Sequence, residues 1–137
     1  MSFKYAALLA ATVFAAPAFA EVDIEAGEKA FKKCKSCHMI KNGDDVIYKG
    51  GKTGPNLYGL PGRAAGAGEE FKYGKSIVEA GEKGLTWDAE TFSAYIADPK
   101  GFLVEYLDDS KAKAKMAKQR VKNPEDIFAY LESVVAE

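Results

Sequence analysis

Cys34, Cys37 and His38 are the two cysteines and the one histidine of this chain of 137 residues, and they stand together in Cys34-Lys35-Ser36-Cys37-His38. Two thiols three residues apart, with an imidazole directly after the second, is the arrangement that attaches a c-type haem. On one helical turn both sulfurs lie on the same face and reach the two vinyl groups of one porphyrin edge. The neutral ring of His38 then ligates the iron from the proximal side.

Other uses of a Cys-x-x-Cys compete with this one: a thioredoxin-like redox pair, half of a zinc site, or a plain disulfide. A structural zinc site drawn from Cys and His needs four ligands, and only three exist here. A thioredoxin-like pair follows a strand and opens a helix. This pair closes a helix instead. The two rival functions are a periplasmic thiol-disulfide oxidoreductase, with free thiols and no colour, and a haem enzyme or gas-binding protein with an open sixth site.

The elements that must position the motif begin with a leader. A short charged start ending at Lys4 precedes an apolar run from Tyr5 to Ala20 that closes on Ala18-Phe19-Ala20. Residues 1–20 therefore read as a secretory signal peptide cut before Glu21, the apolar run being shorter than the roughly 20 residues of a spanning helix. Removing 20 of 137 residues leaves 117, one domain over 21–137, in the periplasm. Lys4 goes with the leader, so 18 basic residues face 20 acidic ones. A domain this small buries only about two-thirds of its unfolded surface, and a large apolar cofactor would supply much of its core.

From Asp23 to the cysteines the spacing of Ala26, Gly27, Ala30, Phe31 and Cys34 predicts one amphipathic helix with Asp23 as N-cap. Gly27 inside it costs about 1 kcal/mol relative to Ala, which points to close approach of another backbone. The partner is the C-terminal helix, opened by Asn123 as N-cap with Pro124 and Asp126 in its first turn, and lined by Ile127, Leu131, Val134 and Val135. Between the two ends, Val46-Ile47-Tyr48 is strand-like but too short for a sheet. The Gly-rich stretch from Gly59 to Gly68 is loop. A short helix is predicted over Phe71 to Ala80, and a firmer one from Thr86 or Asp88 to Asp98-Pro99. Phe102 to Leu107 adds one or two turns. The fold class is all-α with long loops, which make sense wrapped around a cofactor.

A haem held by His38 needs a sixth ligand if it is to pass electrons rather than activate small molecules. No second histidine exists, and Met is the usual alternative. Met1 leaves with the leader and Met39 follows His38 directly. Met116 remains, a lone large hydrophobe in Ala112-Lys113-Ala114-Lys115-Met116-Ala117-Lys118. That isolation suits a ligand better than core filling.

These landmarks, in this order, resemble a class I cytochrome c, above all the long-chain bacterial cytochrome c-two type. The likeness runs through Gly27 with Phe31, Cys34 to His38, Thr53-Gly54-Pro55-Asn56-Leu57, Gly62-Arg63, Phe71-Lys72-Tyr73, Trp87, Tyr95, Pro99, Met116 and Ile127 with Tyr130-Leu131. The resemblance implies crossed N- and C-terminal helices and loops wrapping one covalent haem c, with axial ligands His38 and Met116. It implies that the Pro55 carbonyl accepts the second N–H of His38. Arg63, Tyr73 and Trp87 would bond a haem propionate, and Tyr95 would lie near the ligand methionine. Two places depart from the family pattern: Lys118 where an aromatic is common, and Ala114 where a hydroxyl is common. The ligand loop is accordingly expected to be looser than usual, with Lys115 or Lys118 replacing Met116 as pH rises.

Between Ser110 and Lys122 stand Lys111, Lys113, Lys115, Lys118, Arg120 and Lys122 with no acid, and Lys32, Lys33 and Lys35 stand beside the haem motif. The two runs flank the two ligands, so folding gathers them around one rim that steers towards an acidic partner. Nucleic acid is excluded by export and slight acidity. A monomer is expected. The resemblance further implies an electron carrier, not an enzyme, working between a cytochrome bc-type complex and either a photosynthetic reaction centre or the terminal cytochrome oxidase of a respiratory chain.

Overall fold

The structure, a computed structural model, describes residues 21–136. The leader assigned to 1–20 lies outside the described residues. Five helices and one hairpin follow in the order α1 (Ile24–Ala30), β1 (Ile40–Asn42), β2 (Asp45–Tyr48), α2 (Lys75–Glu82), α3 (Ala89–Ala97), α4 (Pro99–Leu107) and α5 (Pro124–Val135).

α1 starts where its cap predicts, since the Asp23 carboxylate accepts the Ala26 N–H at 3.0 Å. It does not run to the cysteines. After Ala30 the chain tightens into a 3₁₀ turn, Phe31–Lys33, and Cys34 donates to the Phe31 carbonyl at 2.8 Å. Tightening of this kind is common at helix ends and takes the last carbonyls as acceptors. It separates the cysteines from α1 and hands them to the next turn, where the His38 N–H closes on the Cys34 carbonyl at 2.9 Å.

The crossing of α1 on α5 falls at Gly27. A Cβ built there would land on the Asp126 carbonyl, so only glycine lets the two backbones meet. Asp126 does more than favour the start of α5. It is buried, and its carboxylate accepts the Asp23 N–H at 2.9 Å, giving α1 a second cap from across the fold. Asn123 occupies the N-cap position of α5 without a side-chain cap bond, and Pro124 follows at the first helical position.

Val46-Ile47-Tyr48 does find a partner. It pairs antiparallel with β1, Lys41 against Val46 and Asn42 against Asp45, around a turn in which Gly43 has φ +59. The expectation that this piece was too short for a sheet fails because Asn42-Gly43 is a turn signal for a two-stranded hairpin. The hairpin is held from outside by Asn56, whose side chain accepts from Lys41 N–H at 3.0 Å and donates to the Lys41 carbonyl at 2.7 Å.

α2 begins at Lys75, not Phe71, and runs on through Gly81 to Glu82. Phe71 and Tyr73 lie in the extended approach, ring against ring at 4.9 Å. α3 opens with a reciprocal capping box between Asp88 and Thr91. Asp98 then ends α3 and caps α4, accepting the Gly101 N–H at 3.1 Å, with Pro99 at the first helical position. Pro99 thus opens a helix, and α4 begins three residues before Phe102. The core gathers Phe31, Ile40, Phe92, Leu103, Ile127, Phe128 and Leu131. Phe31 joins the hairpin to α5 through Tyr48 and Tyr130, at 4.7 and 6.1 Å between ring centroids.

Candidate haem site

One cleft collects most of the residues singled out above. Cys34, Cys37, His38, Pro55, Tyr73, Trp87, Tyr95 and Met116 line it, on a floor of Phe92, Ile96, Leu103 and Ile127. Its lining is mostly apolar, which suits a large, flat, mostly apolar group better than a small polar substrate.

The cysteine turn forms one wall. Burial, and secondarily the neighbouring Cys37, pushes the Cys34 thiol up to about 11. His38 is 8% exposed, and its Nδ1 lies 2.8 Å from the Pro55 carbonyl oxygen. A carbonyl only accepts, so Nδ1 carries the proton and Nε2 keeps its lone pair. Burial holds the ring's pKa below its ordinary value despite that bond, which leaves it neutral, the form that ligates metal. Gly54 fits against the ring: a Cβ there would stand 2.7 Å from Nδ1 and 2.9 Å from Nε2.

Trp87 and Tyr95 are buried in the lining, edge to face at 5.0 Å. Burial raises the Tyr95 phenol to about 12. Main-chain bonds hold the Trp87 segment to the Gly-rich loop: Trp87 N–H donates to the Arg63 carbonyl at 3.0 Å, and Gly62 N–H to the Trp87 carbonyl at 2.8 Å.

Arg63 is not among the residues that line the cleft but stands next to one that is, Tyr73. Its Nη1 donates to the Tyr58 carbonyl at 3.3 Å. A Cβ on Gly68 would meet both the Tyr73 hydroxyl and, at 3.1 Å, Arg63 Nη2. Arg63 Nε is the buried side-chain polar atom without a partner among the described residues. A buried cationic donor beside a phenol, at the rim of an apolar cleft, suits an anionic edge such as a propionate. The donor set also fits a c-type haem: two thiols on one turn, a neutral imidazole with a free Nε2, and a thioether.

Met116 lies half-buried in the loop between α4 and α5 and faces the cleft, whereas Met39 does not line it. Three hydrogen bonds hold the stretch around Met116. Lys113 N–H donates to Ser76 Oγ at 3.0 Å, Lys115 Nζ to the Lys72 carbonyl at 3.0 Å, and Gln119 N–H to the Ile96 carbonyl at 2.8 Å. Lys118 turns away and pairs with Asp98 at 3.8 Å. Ser76 is the residue that sequence reasoning missed; a hydroxyl on α2 gives no local signal that it serves a loop 37 residues away.

The basic residues are exposed, and Lys33, Lys113 and Lys115 border the cleft. Lys33 Nζ donates to the Arg120 carbonyl at 3.1 Å, joining the two basic runs. Among the described residues no helix is long and apolar enough to cross a membrane.

No protein-family model matches the sequence. Individual relatives do. The chain is 58% identical to cytochrome c-551 of Roseobacter denitrificans over 135 residues, 98% of this chain and 96% of that one. It is 55% identical to cytochrome c2 of Rhodobacter capsulatus, over 95% of each. Among solved structures, that cytochrome c2 superposes with a TM-score of 0.78 at 54% identity, covering 82% of this chain and 98% of the other. The cytochrome c2 of Paracoccus denitrificans superposes at 0.79 and 47% identity, covering 85% and 98%. With likeness of this degree over nearly the whole chain, the protein belongs to the class I cytochromes c of the bacterial c2 type, electron-transfer proteins with one covalent haem c and not enzymes.

Proposed function

We propose that this cytochrome carries single electrons in the periplasm, from a quinol-oxidising cytochrome bc-type complex to a photosynthetic reaction centre or terminal oxidase, and that His38 and Met116 would ligate its haem iron. The observation that carries this reading is the convergence of His38 and Met116 on one apolar cleft that also holds both cysteines. When bound, the haem supplies the one-electron couple.

The chain's own residues do the rest. Cys34 and Cys37 would anchor the group through thioether bonds. Pro55 orients His38 and makes it a stronger donor. A Met partner raises the reduction potential relative to a second His. Trp87, Tyr95 and the apolar floor exclude water, which lessens the reorganisation that accompanies electron transfer. Tyr73, Trp87 and the Arg63 guanidinium offset the charge of a propionate. Residues 1–20 serve as the export signal, removed before Glu21.

Lys32, Lys33, Lys35, Lys111, Lys113, Lys115 and Lys118 form the docking rim for acidic partner surfaces. Exposed charges of this kind act mainly on the rate of encounter and weaken with salt. The test is stopped-flow oxidation of the reduced protein by a purified reaction centre and by a purified terminal oxidase across ionic strength. A fast rate that falls with salt, and a flatter salt dependence in Lys113→Glu, is expected. A slow rate indifferent to salt with both acceptors would contradict the proposal.

A further inference from the structure

Met116 stands in a loop without a hydroxyl at Ala114 and without an aromatic at 118, yet the loop is not left untied. Its tie comes from another element. Ser76, in the first turn of α2, places Oγ 3.0 Å from the Lys113 N–H, three residues before Met116. Lys115 reaches from the same loop to the Lys72 carbonyl at 3.0 Å, and its stem passes Gly74, where a Cβ would meet Lys115 Cγ at 3.6 Å. Two bonds therefore run from the residues on either side of Ala114 to one short segment, 72–76. Both bridge more than 35 positions of sequence.

Ser76 does not line the cleft, although Gly74 and Ile77 beside it do. Removing its hydroxyl therefore leaves the wall of the haem site in place. What it removes is the acceptor for the Lys113 N–H, and a loop amide that loses its partner within the fold is satisfied more readily when the loop swings out into water.

We infer that Ser76 is a positioning residue for Met116: its hydroxyl holds the ligand loop against α2 and keeps the thioether at the site. The inference rests on the assignment of Met116 as a ligand, made above. Because the Lys113 bond is neutral and exposed, its loss raises the population of the open loop by about two- to tenfold, the range of a single net hydrogen bond.

The experiment titrates the oxidised holoprotein with imidazole, which enters only when the methionine lets go. Binding is read from loss of the methionine–iron charge-transfer band, in the parent, Ser76→Ala and Ser76→Thr. Ser76→Ala is expected to bind imidazole two- to tenfold more tightly, and Ser76→Thr, which keeps a hydroxyl, to return towards the parent. Ser76→Ala that binds like the parent overturns the inference. So does a variant whose denaturation midpoint falls while imidazole affinity stays unchanged, since Ser76 would then support only the fold. A parent lacking the charge-transfer band overturns the methionine assignment itself, and the role of Ser76 with it.

Discussion

His38 Nδ1 lies 2.8 Å from the carbonyl oxygen of Pro55, and that one bond sets the tautomer, the tilt and the basicity of the imidazole. The residue before Pro55 completes the arrangement, since Gly54 lets the loop pass the ring at a distance no side chain would allow.

Gly54→Ala should therefore push His38 off the Pro55 carbonyl. Gly54 has no positive φ to lose, so the effect comes through the clash and not through backbone strain. Overpacking of this kind costs about 1–3 kcal/mol. The expected outcome is a lower denaturation midpoint and a higher reduction potential, because an imidazole that loses the Pro55 bond is a weaker donor and stabilises ferric iron less. A variant equal to the parent in both would show that the ring has room to spare.

Gly27→Ala sets two effects against each other. Alanine gains about 1 kcal/mol of helix propensity, while its Cβ lands on the Asp126 main-chain carbonyl, which cannot move without parting α1 from α5. The clash wins, and a net loss of about 2 kcal/mol or more in chemical denaturation is expected. Stabilisation by Gly27→Ala would mean that the helices do not cross there.

The crossing at Gly27 was legible in the sequence because a glycine inside a helical pattern is a local cost with a non-local cause. The cap at Asp23 and the helix start at Pro124 were legible because each is written in two or three adjacent residues. What was hidden depended on contacts across the chain. The Asp126 carboxylate looked like an ordinary first-turn acid but caps α1 over a separation of 103 residues. The break after Ala30 leaves the apolar spacing intact, so periodicity alone ran the helix on to Cys34. Phe71 and Tyr73 have helix-compatible spacing, but their rings serve the cleft, which keeps that segment extended until Gly74. At the site, the motif and Met116 stood out through composition. The place of Arg63, beside Tyr73, follows from the pairing of the Arg63 and Trp87 main chains, which no local pattern announces.

Tyr95 gives the fold an alkaline limit. Burial raises its phenol to about 12, against about 10 in the unfolded chain. A folded-state pKa above the unfolded one means full stability below pH 10 and progressive loss as pH rises towards 12. Two units correspond to about 2–3 kcal/mol. Denaturation at fixed pH steps should show that decline, and Tyr95→Phe should flatten the part of it between pH 10 and 12. An unchanged slope in the variant would assign the decline to another group.

The most direct test of the central claim is the optical spectrum of the protein purified from a host that matures c-type cytochromes, oxidised and then reduced, beside Met116→Ala. The account predicts a sharp low-spin reduced spectrum and a methionine–iron band in the oxidised parent, with the band lost in Met116→Ala and the covalent haem retained. A high-spin parent, or a band that survives removal of Met116, would contradict it.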